Sequence, residues 1–209
     1  MFNGEDFITV KGVTLSRELS GEKNLWVKLF LKGEGIVSLT SKNFMGDSEP
    51  FLWANYDLQR KSKSRNYFVA DIDVRDDMLS IRRSRETIKT ALKWTELLTK
   101  YLPQEQPDDD LLSNLYWNMK LLATPSVPYY VPAWRFLWKW LELWGLAPEL
   151  VDFHASKNFN HDEILLLSQV SILDTKGVID LFTQPTSSTI RENAFIIAAK
   201  LAVKFLNET

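Results

Sequence analysis

The chain has 209 residues and contains no cysteine. Disulfide bonds, thiolate nucleophiles and cysteine-ligated zinc are therefore excluded. Long hydrophobic runs are also missing, because the most aromatic stretch is interrupted by Arg135, Lys139 and Glu142. A membrane-spanning helix needs about 20 predominantly apolar residues. The first residues lack the basic and apolar regions of a signal peptide. We therefore expect a cytoplasmic protein with no membrane partner.

Catalytic motifs are equally scarce. The sequence has two histidines, and it contains no Gly-rich phosphate loop, no nucleophile elbow and no HExxH zinc motif. His154 and His161 stand near Asp152, but their spacing matches no standard set of metal ligands. We therefore expect no enzyme, no catalytic residue, no cofactor and no metal. A hydrolase that uses Asp152, His154 and His161 is the enzymatic alternative.

Residues 7–75 alternate between apolar and polar side chains with a period of two, which is typical of half-buried strands. The second strand places its apolar residues on one face: Leu25, Val27, Leu29 and Leu31. A slip in the alternation near Gly12 predicts a β-bulge. Five strands with no long helix between them predict a small closed barrel such as an OB-fold. A five-stranded sandwich or an SH3-like barrel would give nearly the same pattern.

After residue 76 the apolar period changes to that of helices. Pro103 ends the first helix, and Asp108, Asp109 and Asp110 open the second, because carboxylates suit the positive end of the helix dipole. Later helices are predicted over about 133–145, 161–173 and 188–207. The predicted fold class is therefore α+β. An N-terminal five-stranded OB-fold barrel over residues 1–78 is followed by an all-helical C-terminal domain over residues 79–209.

The loop between the fourth and fifth predicted strands is strongly basic. It contains four cations and no acid within six residues: Arg60, Lys61, Lys63 and Arg65. In OB-folds this loop borders the usual nucleic-acid groove, where flexible cations neutralise phosphates and release counterions. The alternative is a solvated hairpin tip, since charge runs usually face water.

The other face of the second strand carries Trp26, Lys28, Phe30 and Lys32. Trp26 is a candidate for base stacking, and the alternative is that Trp26 or Phe30 docks the barrel onto the helical domain. Arg82 and Arg83, at the predicted domain junction, could extend a basic path. They could equally be the solvated first turn of a helix, although cations are poorly placed at that end of the dipole.

The third helix is rich in aromatic residues, with Trp134, Trp138, Trp140 and Trp144 in one stretch. Such a stripe is typical of the centre of a helical bundle. The alternative is a surface groove for a partner peptide. In that case Arg135 and Lys139, four residues apart, would flank the groove and contact an acidic peptide.

Three segments carry a resemblance to a known family. The first is Lys11-Gly-Val-Thr-Leu-Ser-Arg, and the second is Lys32-Gly-Glu-Gly-Ile-Val-Ser. The third begins with Trp134-Arg-Phe-Leu and, five residues later, ends with Leu143-Trp-Gly-Leu-Ala-Pro-Glu-Leu. In this order they resemble the bacterial RecO recombination mediators. The resemblance implies an N-terminal OB-fold and a helical C-terminal domain. It also implies a non-enzymatic protein of DNA repair that binds single- and double-stranded DNA and anneals complementary strands.

The resemblance further implies partners. RecO-like proteins act with RecR to load RecA onto single strands coated by single-stranded DNA-binding protein, whose acidic-aromatic C-terminal tail they bind. A nucleoid-associated location in the cytoplasm follows from this role.

Two features depart from the family pattern. The family often has a Lys-Gly-x-Arg segment after the third strand that contributes to DNA contact, and here it reads Lys42-Asn-Phe-Met. Lys42 alone carries over. Many members also have a four-cysteine zinc module, which this chain lacks. The sequence thus predicts a diverged mediator, and the alternative is an adaptor that uses the aromatic helical domain and retains only vestigial DNA binding.

Overall fold

The computed structural model describes residues 6–20, 24–42, 49–60, 67–76, 78–149, 159–183 and 188–207. It is an α+β structure in which a five-stranded sheet precedes the helices. The strands are β1 (Asp6–Ser20), β2 (Asn24–Leu31), β3 (Gly35–Lys42), β4 (Trp53–Arg60) and β5 (Tyr67–Asp76). The predicted number of strands is confirmed.

The strand pairings form a closed circuit in the order β1-β2-β3-β5-β4 and back to β1. Every pairing is antiparallel except β3 with β5, which is parallel and rests on the single pair Thr40 and Phe68. The pairing between β3 and β5 is therefore the shortest in the circuit.

Alternation along the strands explains the core of the sheet. All four residues of the predicted apolar face of β2 are buried. They pack with residues from β3, β4 and β5: Leu39, Ala54, Tyr56, Leu58 and Val69. Inside this core the Tyr56 hydroxyl lies 2.8 Å from the Thr14 hydroxyl and donates to the carbonyl oxygen of Leu52 at 3.2 Å. Burial raises the pKa of Tyr56 to about 12, although the bonds with Thr14 act in the opposite direction.

The bulge of β1 lies slightly later than predicted, since the register with β2 shifts between Thr14 and Ser16. Gly12 has a different role. A Cβ at Gly12 would lie 2.3 Å from the backbone oxygen of Phe30, so glycine is needed for close approach of β1 to β2.

A 3-10 helix (Leu79–Arg83) leads into six α-helices in the described part of the chain. They are α1 (Arg85–Tyr101), α2 (Asp109–Ala123), α3 (Tyr130–Leu143), α4 (His161–Ile172), α5 (Thr175–Thr183) and α6 (Ser188–Asn207). Helix α5 was not predicted from the sequence. None of the helices in the described ranges combines the length and the apolar content that a bilayer crossing requires.

The described residues form two compact units. The first holds the sheet up to Leu79 together with residues 91–112, and the second holds residues 80–90 together with those from 113 onward. Helices α1 and α2 therefore each contribute to both units. In the second unit, α3 packs against α4 and α6, and Trp134, Tyr130 and Phe195 meet in its core.

Candidate functional site

Trp26 lies on the outer face of the sheet. Its neighbours in β2, Leu25 and Val27, point into the core, whereas the Trp26 side chain is 47% exposed. Trp26 pairs with Glu18 of β1 on one side and with Thr40 of β3 on the other. The exposed indole beside a carboxylate suits the stacking of a base better than contact with a phosphate.

Trp26 belongs to a line of paired residues that crosses four strands. Thr40 pairs with Phe68 of β5, and Phe68 pairs with Gln59 of β4. Paired residues share one face of a sheet, and all three of these side chains are half-buried. Three strand spacings separate β2 from β4 along this line, and two separate them through β1. We name Trp26, Thr40, Phe68 and Gln59 the outer-face line.

The basic segment between β4 and β5 begins next to the outer-face line. Arg60 directly follows Gln59 and pairs with Tyr67, so residues 61–66 connect two adjacent antiparallel strands as predicted. Lys61, Lys63 and Arg65 lie outside the described residues. Lys42 and Arg60 end β3 and β4. The roles of these five cations stay predictions.

The remainder of the outer face of β2 becomes progressively less accessible. Lys28 is half-buried, and Phe30 is fully buried. Burial excludes Phe30 from contact with a ligand. Lys32 is exposed just beyond the end of the strand. The accessible part of this face therefore contains one aromatic side chain and two lysines.

Arg82 and Arg83 lie in the 3-10 helix and are both exposed. Arg83 Nη2 donates to the carbonyl oxygen of Val127 at 3.3 Å, and desolvation lowers the pKa of Arg83. Both arginines belong to the second unit, whereas Trp26 belongs to the first. Their role as DNA contacts stays a prediction.

The aromatic helix α3 forms core rather than an open surface. Trp134, Trp138 and Trp140 are buried, and Trp144 is half-buried. Arg135 is also buried, with 8% of its surface exposed. The expectation that Arg135 flanks a peptide groove is therefore wrong, because its side chain reaches no partner outside the fold.

The donors of Arg135 are used inside the second unit. Nε and Nη2 donate to the carbonyl oxygens of Val170 at 3.3 Å and Leu173 at 2.8 Å, and Nη1 donates to Asn118 Oδ1 at 3.4 Å. These carbonyls end α4, where a cation suits the negative end of the helix dipole. Desolvation lowers the pKa of Arg135, and the carboxylates of Glu142 and Asp174 act in the opposite direction.

Lys139 remains partly exposed, and its ammonium group lies 2.6 Å from Glu142 Oε2. The other oxygen of Glu142 accepts a hydrogen bond from Trp138 Nε1 at 2.7 Å. Glu142 thus joins Trp138 and Lys139 on one side of α3. A peptide carboxylate would have to compete with Glu142 for Lys139.

Within the described residues, no cluster of three or more potential metal ligands occurs. Asp152 and His154 lie outside those residues. Asn160 is the N-cap of α4, since Asn160 Oδ1 accepts from the Glu163 amide and Glu163 Oε2 accepts from the Asn160 amide, both at 2.9 Å. Asn160 therefore starts α4, in agreement with the helix predicted over about 161–173.

No protein-family model and no curated protein sequence matches this chain. The likeness to the RecO mediators therefore stays an expectation. Assignment of a function depends on the exposed outer face of the sheet and on the chemistry of its residues.

A polar network surrounds Arg135 and was not predicted from the sequence. Asn118 is fully buried, and its Nδ2 donates to Asn114 O and Asn114 Oδ1, while Asn114 Nδ2 donates to the Phe136 carbonyl oxygen. A signal was present, because Asn118 interrupts an otherwise apolar stripe of α2 four residues after Asn114. Two amides at this spacing on a core-facing stripe indicate a buried hydrogen-bonding partner.

Proposed function

We propose that this protein is a nucleic-acid-binding recombination mediator of the RecO type, with an OB-fold as its N-terminal part. The observation that carries the proposal is the exposed Trp26 in the outer-face line, from which the basic β4–β5 turn departs one residue after Gln59. Five strands in a closed circuit, with β3 beside β5, support the OB-fold assignment.

The proposed mechanism is charge neutralisation combined with stacking. Lys42 and the cations of the β4–β5 turn (Arg60, Lys61, Lys63 and Arg65) hold backbone phosphates, and Trp26 stacks one base. Arg82 and Arg83 supply further phosphate contacts. None of these residues reads a base edge, so binding is independent of sequence. Neutralised phosphates let two complementary strands approach each other, which is the physical requirement for annealing.

The partners of the proposed mediator come from the family resemblance. They are single- and double-stranded DNA, RecR, the C-terminal tail of single-stranded DNA-binding protein and, indirectly, RecA. Arg135 takes no part in binding the tail, since its donors serve the fold. Lys139 is a tail contact only if the peptide displaces Glu142.

A salt series tests the proposal. Fluorescence anisotropy with a labelled single-stranded oligonucleotide compares the wild type with a variant in which Arg60, Lys61, Lys63 and Arg65 are replaced by Ala. We expect the affinity of the wild type to fall steeply with salt and the logarithmic slope of the variant to be smaller by about 2–3 units.

The control variant removes the same charge from exposed helical positions: Lys89, Lys93, Lys176 and Lys200. It should bind DNA nearly as well as the wild type. Equal losses of DNA affinity in the two variants would show that only the net charge of the protein matters. That result would contradict a binding role for the segment between β4 and β5. A wild type that does not bind at low salt would overturn the proposal.

The second candidate is a protein-interaction adaptor. Among the described residues, four large apolar side chains are exposed on helices of the second unit: Trp117, Leu143, Leu165 and Ile172. Such side chains favour recognition of a partner where they form one contiguous patch. The adaptor binds a protein partner through these residues. In the same anisotropy experiment it should not bind DNA at any salt concentration.

A further inference from the structure

The connector between α1 and α2 is attached to the turn between β2 and β3. We name residues 103–108 the strap. Gln104 forms a parallel bridge with Ile36 at the start of β3, and the Glu105 amide donates to the Ile36 carbonyl oxygen at 3.0 Å. The strap therefore adds one strand-like residue to β3, at the end away from the Thr40–Phe68 pair.

Two glycines of the β2–β3 turn complete the attachment. The Gly33 amide donates to Asp109 Oδ1 at 2.7 Å, just after the strap. Gly35 lies against the strap itself, since a Cβ at Gly35 would lie 2.2 Å from the carbonyl oxygen of Gln106. Both glycines have positive φ angles, 74° for Gly33 and 78° for Gly35. Gly33 differs in that a Cβ there would meet nothing within 4 Å.

The strap is exposed and contains an unfavourable backbone angle. Glu105 has a φ angle of 59°, which costs a non-glycine residue on the order of 1 kcal/mol. Residues 103–107 are all exposed. A segment with little buried apolar surface and exposed backbone bonds opens locally at a free energy well below that of global unfolding. The strap can therefore leave β3 while the protein stays folded.

The strap and the first residues of α2 are strongly acidic. Residues 103–110 include four carboxylates and no cation: Glu105, Asp108, Asp109 and Asp110. The turn that holds them follows β2, whose outer face carries Lys28 and Lys32. Lys32 directly precedes Gly33, whose amide is bonded to the Asp109 carboxylate, so this lysine lies next to the acidic segment.

We propose that the strap is an autoinhibitory element of the nucleic-acid-binding face. While attached, it holds carboxylates beside Lys32, just beyond the end of β2, and opposes the approach of a phosphate backbone there. Release of the strap removes this repulsion and raises the affinity for single-stranded DNA at low salt. The inference rests on the proposed DNA-binding function.

Two matched pairs of variants test the strap. Gly35→Ala and Gly33→Ala impose a similar backbone cost, but only Gly35→Ala displaces Gln106. Asp109→Ala and Asp110→Ala each remove one carboxylate from the first turn of α2, but only Asp109→Ala removes the bond to Gly33. Amide hydrogen exchange at Glu105 reports release of the strap, and anisotropy with a single-stranded oligonucleotide reports affinity.

We expect Gly35→Ala and Asp109→Ala to accelerate exchange at Glu105 at least about tenfold relative to their controls. At about 50 mM salt they should bind DNA about threefold more tightly than their controls, and the difference should disappear at high salt. If Gly35→Ala does not fold, the Asp109 pair decides the question.

The outcomes separate this inference from the proposed function. Faster exchange with unchanged DNA affinity, or no change in exchange, would overturn autoinhibition while the wild type still binds DNA. Failure of the wild type and all four variants to bind DNA at low salt would overturn the proposed function itself, and the autoinhibition with it.

Discussion

Arg135 Nη2 donates to the carbonyl oxygen of Leu173 at 2.8 Å and thereby joins α3 to the end of α4. This bond makes Arg135 a structural residue, although it stands between aromatic residues in a pattern that resembles a recognition helix. A buried cation of this kind is costly to remove because its acceptors lose their partner.

Replacement of Arg135 should destabilise the protein strongly. Arg135→Ala leaves the carbonyls of Val170 and Leu173 and the Asn118 amide oxygen without their donor, and it opens a cavity. We expect a loss of about 2–4 kcal/mol in the free energy of unfolding, measured by urea denaturation. The control is Lys139→Ala, which removes an exposed cation from the same helix and should cost no more than about 1 kcal/mol. Equal effects would contradict the structural role of Arg135.

Trp26 should contribute to DNA binding without contributing to stability. Trp26→Ala removes one stacking surface, so single-stranded DNA affinity should fall by about 1–3 kcal/mol. Trp117 is a matched control, because its side chain is also 47% exposed. Anisotropy should show no loss for Trp117→Ala. A similar loss for both tryptophans would remove Trp26 from the binding face.

The Tyr56 hydroxyl should make stability sensitive to alkaline pH. Its pKa is about 12 in the folded protein, against about 10 in an unfolded chain. Because the folded value is the higher one, the stabilisation is complete below pH 10 and is lost as pH rises toward 12. Between pH 9 and pH 11, the difference in unfolding free energy between wild type and Tyr56→Phe should shrink by about 1 kcal/mol. A constant difference in urea denaturation across this range would refute the assignment.

Removal of the N-cap of α4 should lower the stability of the protein. Asn160→Ala removes the acceptor of the Glu163 amide and should lower the unfolding free energy by about 1 kcal/mol. Asn160→Asp keeps an oxygen at the same position and places a negative charge at the positive end of the helix dipole, so it should retain the wild-type value. Denaturation midpoints that are unchanged in both variants would show that the cap does not stabilise the fold.

The sheet is well predicted from the sequence, because side chains that alternate with a period of two can be assigned to the core face in only one way. Leu25, Val27, Leu29 and Leu31 could share only one face, and all of them are buried. The nine residues of α5 were missed because so short a segment, with Gly177 inside it, is at the lower limit of helix length and gives a weak helix signal.

The candidate site was only partly predictable. Exposure of Trp26 and burial of Phe30 depend on what covers one face of β2, and alternation cannot reveal that. The position of Arg135 depends on carbonyls 35 and 38 residues later in the chain, which no local pattern encodes. The strap is equally non-local, since Gly33 and Asp109 are 76 residues apart.

The division of α1 and α2 between the two units has a consequence for biosynthesis. Residues 91–112 belong to the unit that holds the sheet, and they carry buried Trp94, Leu97, Leu98 and Leu102. On the ribosome, the five strands emerge before this segment does. The unit that holds the sheet is therefore complete only after residue 112 has left the exit tunnel, when α1 and the first turn of α2 are both available.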